Sequence, residues 1–226
     1  MSRIGIITGL AEEADCLDVF AANERPLIGV AAAQPEKAEI LAAEMISGGC
    51  QALLSFGMAG GLAAEVASGD VIVASSVVAP EGQTYETSTP WCQGVLERLG
   101  DNASIGVVAG SGTVVDSPAA KTDLASATGA VIVDMESQAV AVAAADAGIP
   151  FLVIRAVADP VDGAIPAWLT GNISETGTPK YLPIMAGLAM HPWDLPGLLR
   201  LKGDSGRAIT SLRRVAGRLG PLFGFG

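Results

Sequence analysis

The stretch VIVDMESQAVAVAAADAGIPFLVIRAVADP, residues 131–160, decides the fold. Val131–Val133 is a short β-branched run that reads as a strand. Ser137–Ala147 is alanine-rich and reads as a helix, because alanine carries the highest helix propensity. Gly148-Ile149-Pro150 ends it, since glycine accepts the turn geometry and proline cannot continue a helix. Phe151–Val157 is a second strand, apolar almost throughout, and Asp159-Pro160 stops it. A strand, helix, strand unit with continuously apolar strands implies a sheet covered on both faces by helices.

The rest of the chain repeats this alternation. Ile4–Thr8 reads as an opening strand and Pro26–Ala32 as a second. Glu36–Ile46 has helical spacing, with Ile40, Leu41 and Met45 apolar and Lys37, Glu39 and Glu44 polar. Gln51–Phe56 reads as a buried strand followed by a glycine-rich turn, Gly57-Met58-Ala59-Gly60-Gly61. Val71–Val78 and Ser104–Gly110 are further strands. Trp91 and Cys92 are expected to pack in a loop. Gly, Pro, Ser and Thr accumulate over Ala164–Leu182, which is expected to be a mobile loop before two C-terminal helical segments. The expectation is one α/β domain over residues 1–226, a three-layer αβα sandwich with a central mixed sheet.

Composition sets limits on function. The chain has 226 residues, 50% hydrophobic and 16% charged, which excludes a disordered chain. No apolar stretch reaches the roughly 18 residues of a membrane span, and Asp146 and Arg155 break the longest ones. The opening residues read as a strand rather than a signal peptide. Cys16, Cys50 and Cys92 are too far apart for a disulfide framework or a metal site, so a reducing cytoplasm is expected. The net charge of −11 argues against nucleic acid as a partner. The charge is uneven: residues from Arg200 onward carry +5 and those before carry −16. From Arg207 to Leu219 the apolar Ile209, Leu212, Val215, Ala216 and Leu219 share one helical face, opposite Arg207, Arg214 and Arg218. Such a helix either docks on the sheet with its arginines in water or lies on an anionic membrane. The basic amphipathic segment is placed at about residues 190–220. His191, the only histidine, reads as structural.

Three acids stand at strand ends, where open α/β sheets collect their active sites. Glu13 follows the first strand, Glu136 lies in Val133-Asp134-Met135-Glu136-Ser137, and Asp159 ends Phe151–Val157. One such acid is commonly a helix cap or a solvated turn residue. The glycine-rich segment has no P-loop lysine, and no Gly-x-Gly-x-x-Gly fingerprint is present.

Five segments carry a more specific signal: Ile4-Gly5-Ile6-Ile7 with Glu12-Glu13, Gly57-Met58-Ala59-Gly60-Gly61-Leu62, Gly69-Asp70-Val71-Ile72-Val73, Val133-Asp134-Met135-Glu136 and Val153–Asp159. In this order they resemble the nucleoside phosphorylase and nucleosidase superfamily, and most of all its methylthioadenosine/S-adenosylhomocysteine nucleosidase branch. The resemblance implies cleavage of the N-glycosidic bond of a 5′-substituted adenosine. It implies Asp159 as the acid at purine N7 and Glu13 as the residue that positions and deprotonates water. Glu136 then binds the ribose hydroxyls with Met135 against the sugar, and Met58, Ala59 and Gly60 line the site. Val115 falls where the nucleosidases put an aromatic against the base, and Asp116 offers backbone contacts to adenine. Asp134 replaces a glutamate and keeps its charge, and Ala158 replaces a serine beside Asp159. No metal and no organic cofactor is implied, and members of the superfamily are oligomers, so at least a homodimer is expected.

Water or phosphate as nucleophile depends on an anion site, which needs arginines and free backbone amides. Basic residues are scarce before Arg200, and Glu13 occupies the first loop, so hydrolysis is favoured, with Arg25 the residue best placed to argue for phosphate as co-substrate. The segment Met190–Leu201, with Asp204-Ser205-Gly206-Arg207 and Leu212-Arg213-Arg214, resembles the tail of hopanoid-associated members of the superfamily. It implies adenosylhopane as substrate, with Trp168, Leu169, Trp193, Leu195, Leu198 and Leu199 lining a groove or facing a membrane. The competing readings are a phosphorolytic purine nucleoside phosphorylase, an ordinary methylthioadenosine nucleosidase with an unusual tail, and a non-catalytic nucleoside-binding module.

Overall fold

A computed structural model describes residues 3–21 and 23–226; Met1 and Ser2 of the opening segment lie outside the described residues. The elements are, in order, β1 (Ile4–Thr8), α1 (Ala11–Ala14), β2 (Leu27–Val30), α2 (Pro35–Ser47), β3 (Ala52–Gly61), β4 (Val71–Val78), β5 (Thr84–Glu86), α3 (Thr89–Leu99), β6 (Ser104–Gly110), α4 (Pro118–Thr128), β7 (Ile132–Asp134), α5 (Ser137–Ala147), β8 (Phe151–Asp159), α6 (Tyr181–Met190) and α7 (Leu195–Leu219). The expected mixed α/β sandwich is the observed fold.

The sheet runs β2-β1-β3-β7-β6-β4-β5, and β8 pairs with both β3 and β4. Strand β3 lies parallel to β8 along most of its length, then its last two residues, Gly60 and Gly61, pair antiparallel with β7. The path β3-β8-β4-β6-β7 therefore closes on β3, and the strand ends that carry the acids converge on one rim.

Alternation along the strands builds two cores. On β8, Leu152, Ile154, Ala156 and Ala158 point to one side, where they meet α3 residues Trp91 and Val95 and α7 residues Leu212 and Val215. Phe151, Val153 and Val157 point to the other, against Ala38 and Ala42 of α2 and Val140 and Ala144 of α5. This is the period-2 rule of a strand, with both faces buried.

Two expectations need correction here. Gly57–Gly61 is not a turn but the end of β3. A Cβ at Gly57 would sit 2.6 Å from both Arg155 Nη1 and Glu13 Oε2, so glycine is there to let two charged side chains reach the strand. Trp91 and Cys92 are not in a loop but on the buried face of α3, and Trp91 Nε1 donates to the Phe223 carbonyl at 2.7 Å.

Helix α7 takes the first of the two dispositions open to it. Ala208, Ile209, Leu212, Val215, Ala216 and Leu219 are buried against β8, while Arg207, Arg214 and Arg218 are exposed. The segment after it continues the core, since Phe223 is fully buried and packs edge-on against Phe20 and Phe56. Its apolar face is thus already covered by protein.

Candidate active site

The loop after β1 and the first turn of α1 put Glu13 under the sheet edge, 2% exposed. Its Oε2 accepts from the amides of Gly9 at 2.7 Å and Leu10 at 2.9 Å, and its Oε1 from Met58 at 2.8 Å. Burial raises its pKa above the ordinary carboxylate range, and Arg155 and these amides partly offset the rise.

Arg155, on β8, is the centre of the cluster and has no exposed surface. Its Nη2 donates to Ser55 Oγ at 2.5 Å, Glu136 Oε2 at 3.2 Å and Ser137 Oγ at 3.3 Å, and Nη1 to the Met58 carbonyl at 3.3 Å. Its Nε lies 2.6 Å from Asp134 Oδ2, an ion pair without hydrogen-bond alignment. Burial works against its charge, and Asp134, Glu136 and Glu13 outweigh that. One cation thus faces three buried carboxylates.

The three carboxylates are not equivalent. Asp134 accepts from the Ser137 amide at 2.9 Å and from the Ser137 hydroxyl, which leaves it committed to Arg155 and the start of α5. Both of its oxygens are thereby engaged within the protein. Among the described residues the Glu136 carboxylate is held by Arg155 alone, and it abuts Gly9, where a Cβ would meet its Oε1 at 2.6 Å. Burial pushes its pKa to about 7; Arg155 opposes the rise, and Asp134 and Glu13 add to it. A folded-state pKa above the unfolded value means the native state binds the extra proton, so this contribution is present at acid pH and is lost as pH rises through about 7. Glu136→Gln is therefore expected to flatten the fall in melting temperature between pH 5 and 7.5, read by thermal unfolding across that range. An unchanged slope would contradict this.

At the other end of the same β3 segment lies Asp159, 8% exposed. A Cβ at Gly60 would stand 3.9 Å from its Oδ2. Gly57, beside Glu13, and Gly60, beside Asp159, are three residues apart on the strand, about 10 Å. Lys121 of α4, wholly buried, places Nζ 2.5 Å from Asp159 Oδ2 and also donates to the carbonyls of Pro160 at 2.8 Å and Gly163 at 3.1 Å. Burial raises the Asp159 pKa, and Lys121 opposes the rise.

The structure brings Glu13, Met58, Asp134 and Glu136 together around Arg155, and sets Asp159 beside Gly60. The Met58 amide donates to Glu13, and its carbonyl accepts from Arg155. Ala59 is buried, and Met135 is half-buried on the link between β7 and α5. Val115 packs with Leu62, Ala109 and Val133. The Asp116 carbonyl accepts from Ile165 N at 2.9 Å, so one of its lone pairs is taken. Arg25 pairs with Asp18 at the surface, at 2.8 Å, and is no part of the cluster. Residues 160–180 bind the rim at several points. Ala11 N donates to the Gly177 carbonyl at 3.1 Å, and Lys37 Nζ to that of Glu175 at 2.6 Å.

Sequence reading missed Lys121, Ser55, Ser137 and the central role of Arg155. Arg155 did carry a signal: a lone charge in an otherwise apolar strand must be paired when buried. Lys121, in a helix the alternation did not reveal, carried none.

The sequence profile described as the Phosphorylase superfamily matches residues 19–177. It takes in Glu136, Arg155 and Asp159, and begins after Glu13. No curated protein sequence matches the chain. Among solved structures, the futalosine hydrolase of Helicobacter pylori is 19% identical, with 94% of this chain and 96% of that one covered and a TM-score of 0.67. The 5′-methylthioadenosine/S-adenosylhomocysteine nucleosidase of Neisseria meningitidis, in complex with methylthio-immucillin-A, is 16% identical, covers 94% and 97%, and has a TM-score of 0.70. The Helicobacter pylori nucleosidase of the same description is 18% identical, with coverage of 95% and 97% and a TM-score of 0.68. At these identities the likeness is one of fold.

Proposed function

Because the chain belongs to the phosphorylase superfamily and is an enzyme that cleaves a glycosidic bond, we propose that it hydrolyses the N-glycosidic bond of a 5′-substituted adenosine, and that the substrate is adenosylhopane. The observation that carries hydrolysis is the state of the first loop. The Gly9 and Leu10 amides, which an anion would need, already donate to Glu13. The two buried cations are also committed, Arg155 to Asp134 and Glu136 and Lys121 to Asp159. A phosphate dianion there would meet carboxylates, with these amides and cations already engaged.

The chemistry follows from the proposed roles. Glu136, ionised, accepts from the ribose hydroxyls, and Met135 packs against the sugar. Asp159, protonated, gives its proton to N7 as the C1′–N9 bond breaks. Glu13 takes a proton from water as its oxygen bonds to C1′, where oxocarbenium charge has developed. Adenine and a ribosyl lipid leave, and both carboxyls return to their starting states by exchange with solvent. Val115 and Asp116 are assigned to the base, and Ala59 and Gly60 to the wall between the two ends. The reaction calls for no metal or organic cofactor. The same reading has the protein as a homo-oligomer, a dimer, in the cytoplasm at the inner face of the membrane.

Adenine release from adenosylhopane and from methylthioadenosine, each with and without phosphate, tests this. Release from the lipid nucleoside without phosphate is the expected result. Release only with phosphate would overturn hydrolysis. Cleavage of methylthioadenosine alone would overturn the lipid substrate.

A further inference from the structure

Helix α6, Tyr181–Met190, reads YLPIMAGLAM and contains no charged residue. A helix apolar all round is ordinarily buried or in contact with lipid. Here only Gly187 is buried, where it passes so close to the Trp168 ring that a Cβ would clash. Leu182 is 86% exposed, Met185 62%, Met190 69% and Trp193 70%. Of twelve exposed large hydrophobic side chains among the described residues, seven lie between Tyr181 and Leu199. The first buried residue of α7 is Asp204, so its opening turns stand clear of the core together with α6. Trp168 pins the pair: its Nε1 donates to Asp194 Oδ2 at 2.8 Å and its ring stacks on His191, centroids 5.8 Å apart.

We infer that this helical corner, rather than the arginine face of α7, docks the protein on an anionic lipid bilayer. Charge chooses the occupant. Residues 180–202 hold three basic side chains, Lys180, Arg200 and Lys202, and one acidic one, Asp194, +2, in a chain of net charge −11. Lys180 flanks the start of α6, and Arg200 and Lys202 follow the apolar turns of α7, all exposed. An anionic surface attracts this corner and repels the remainder, which fixes the orientation. Two copies joined through the same patch would set these cations against each other. At ten residues α6 is about 15 Å long, too short to cross a bilayer, so it lies in the interface with Tyr181 and Trp193 at headgroup level. This deepens the lipid part of the function proposed above and rests on it only for what the protein collects there.

The test uses the whole chain, sedimented with phosphatidylcholine vesicles and with vesicles of phosphatidylcholine and phosphatidylglycerol, without nucleoside. Wild type is expected to pellet with the anionic vesicles, and the doubly substituted Leu182→Glu, Met185→Glu chain to bind them at least tenfold more weakly. Both are expected to release adenine equally from a soluble nucleoside, which shows that the variant is folded. Equal vesicle binding by the two proteins would overturn the proposal. So would a wild-type dimer that this pair of substitutions converts to monomer, since the patch would then be a subunit contact. The arms are independent. A wild type that binds vesicles but does not cleave adenosylhopane would sink the substrate and leave the docking surface standing.

Discussion

Replacing Arg155 with methionine is expected to lower the free energy of unfolding by about 3–5 kcal/mol, the range seen when one partner of a buried ion pair is removed. The size follows from the surroundings. Arg155 has no exposed surface and faces Glu13, Asp134 and Glu136, each 5% exposed or less. Without the guanidinium Glu13 and Glu136 keep their desolvation and lose their counter-charge, so they fold protonated. Their folded pKa values then stand further above the unfolded ones, and native stability falls more steeply as pH rises. Urea unfolding of both proteins at pH 5 and pH 8 measures this. The deficit should be larger at pH 8. A deficit below about 1 kcal/mol at both pH values would mean that water or repacking replaces the cation, and Arg155 would lose its central place.

The second large effect is on turnover. Asp159→Asn removes the proposed proton donor and is expected to lower kcat by about 10²–10⁴-fold, the usual worth of a positioned acid, with KM changed far less. Lys121 supplies the control that a structural explanation would fail. Lys121 opposes the upward push of burial on Asp159, so Lys121→Met should raise the acid's pKa again. The protonated form then persists to higher pH, and the alkaline limb of the kcat profile moves upward. A lower kcat with an unmoved limb would reduce Lys121 to a packing role. Near-wild-type turnover by Asp159→Asn would remove Asp159 from the chemistry.

Much of this molecule can be read from the chain, and the unreadable parts share a cause. Strands with two buried faces declare themselves as β-branched runs, so Val71–Val78 and Ser104–Gly110 have the observed bounds. Helix α5 is legible for the same local reasons, alanines and a glycine at its end. Helix α4 is not, because Thr122, Asp123, Ser126 and Thr128, weak helix formers, interrupt its alanines; its marks are Ser117 before Pro118 and the left-handed Gly129. Gly57 misleads because it is needed for tertiary contact, not for a turn, and the side chains it admits come from residues 13 and 155. The acids were visible as strand-end residues. Their partners were not, since an ion pair such as Lys121 to Asp159 spans 38 residues and two elements.

Arg155 and Asp159 stand on one strand, with Val153 and Val157 between and before them on the same side. That arrangement makes insertions and deletions more dangerous here than substitutions. A single residue gained or lost between them would turn Asp159 to the α7 side while Arg155 stayed with its carboxylates. The number of residues from 155 to 159 therefore constrains the site more than the identity of the residues between them.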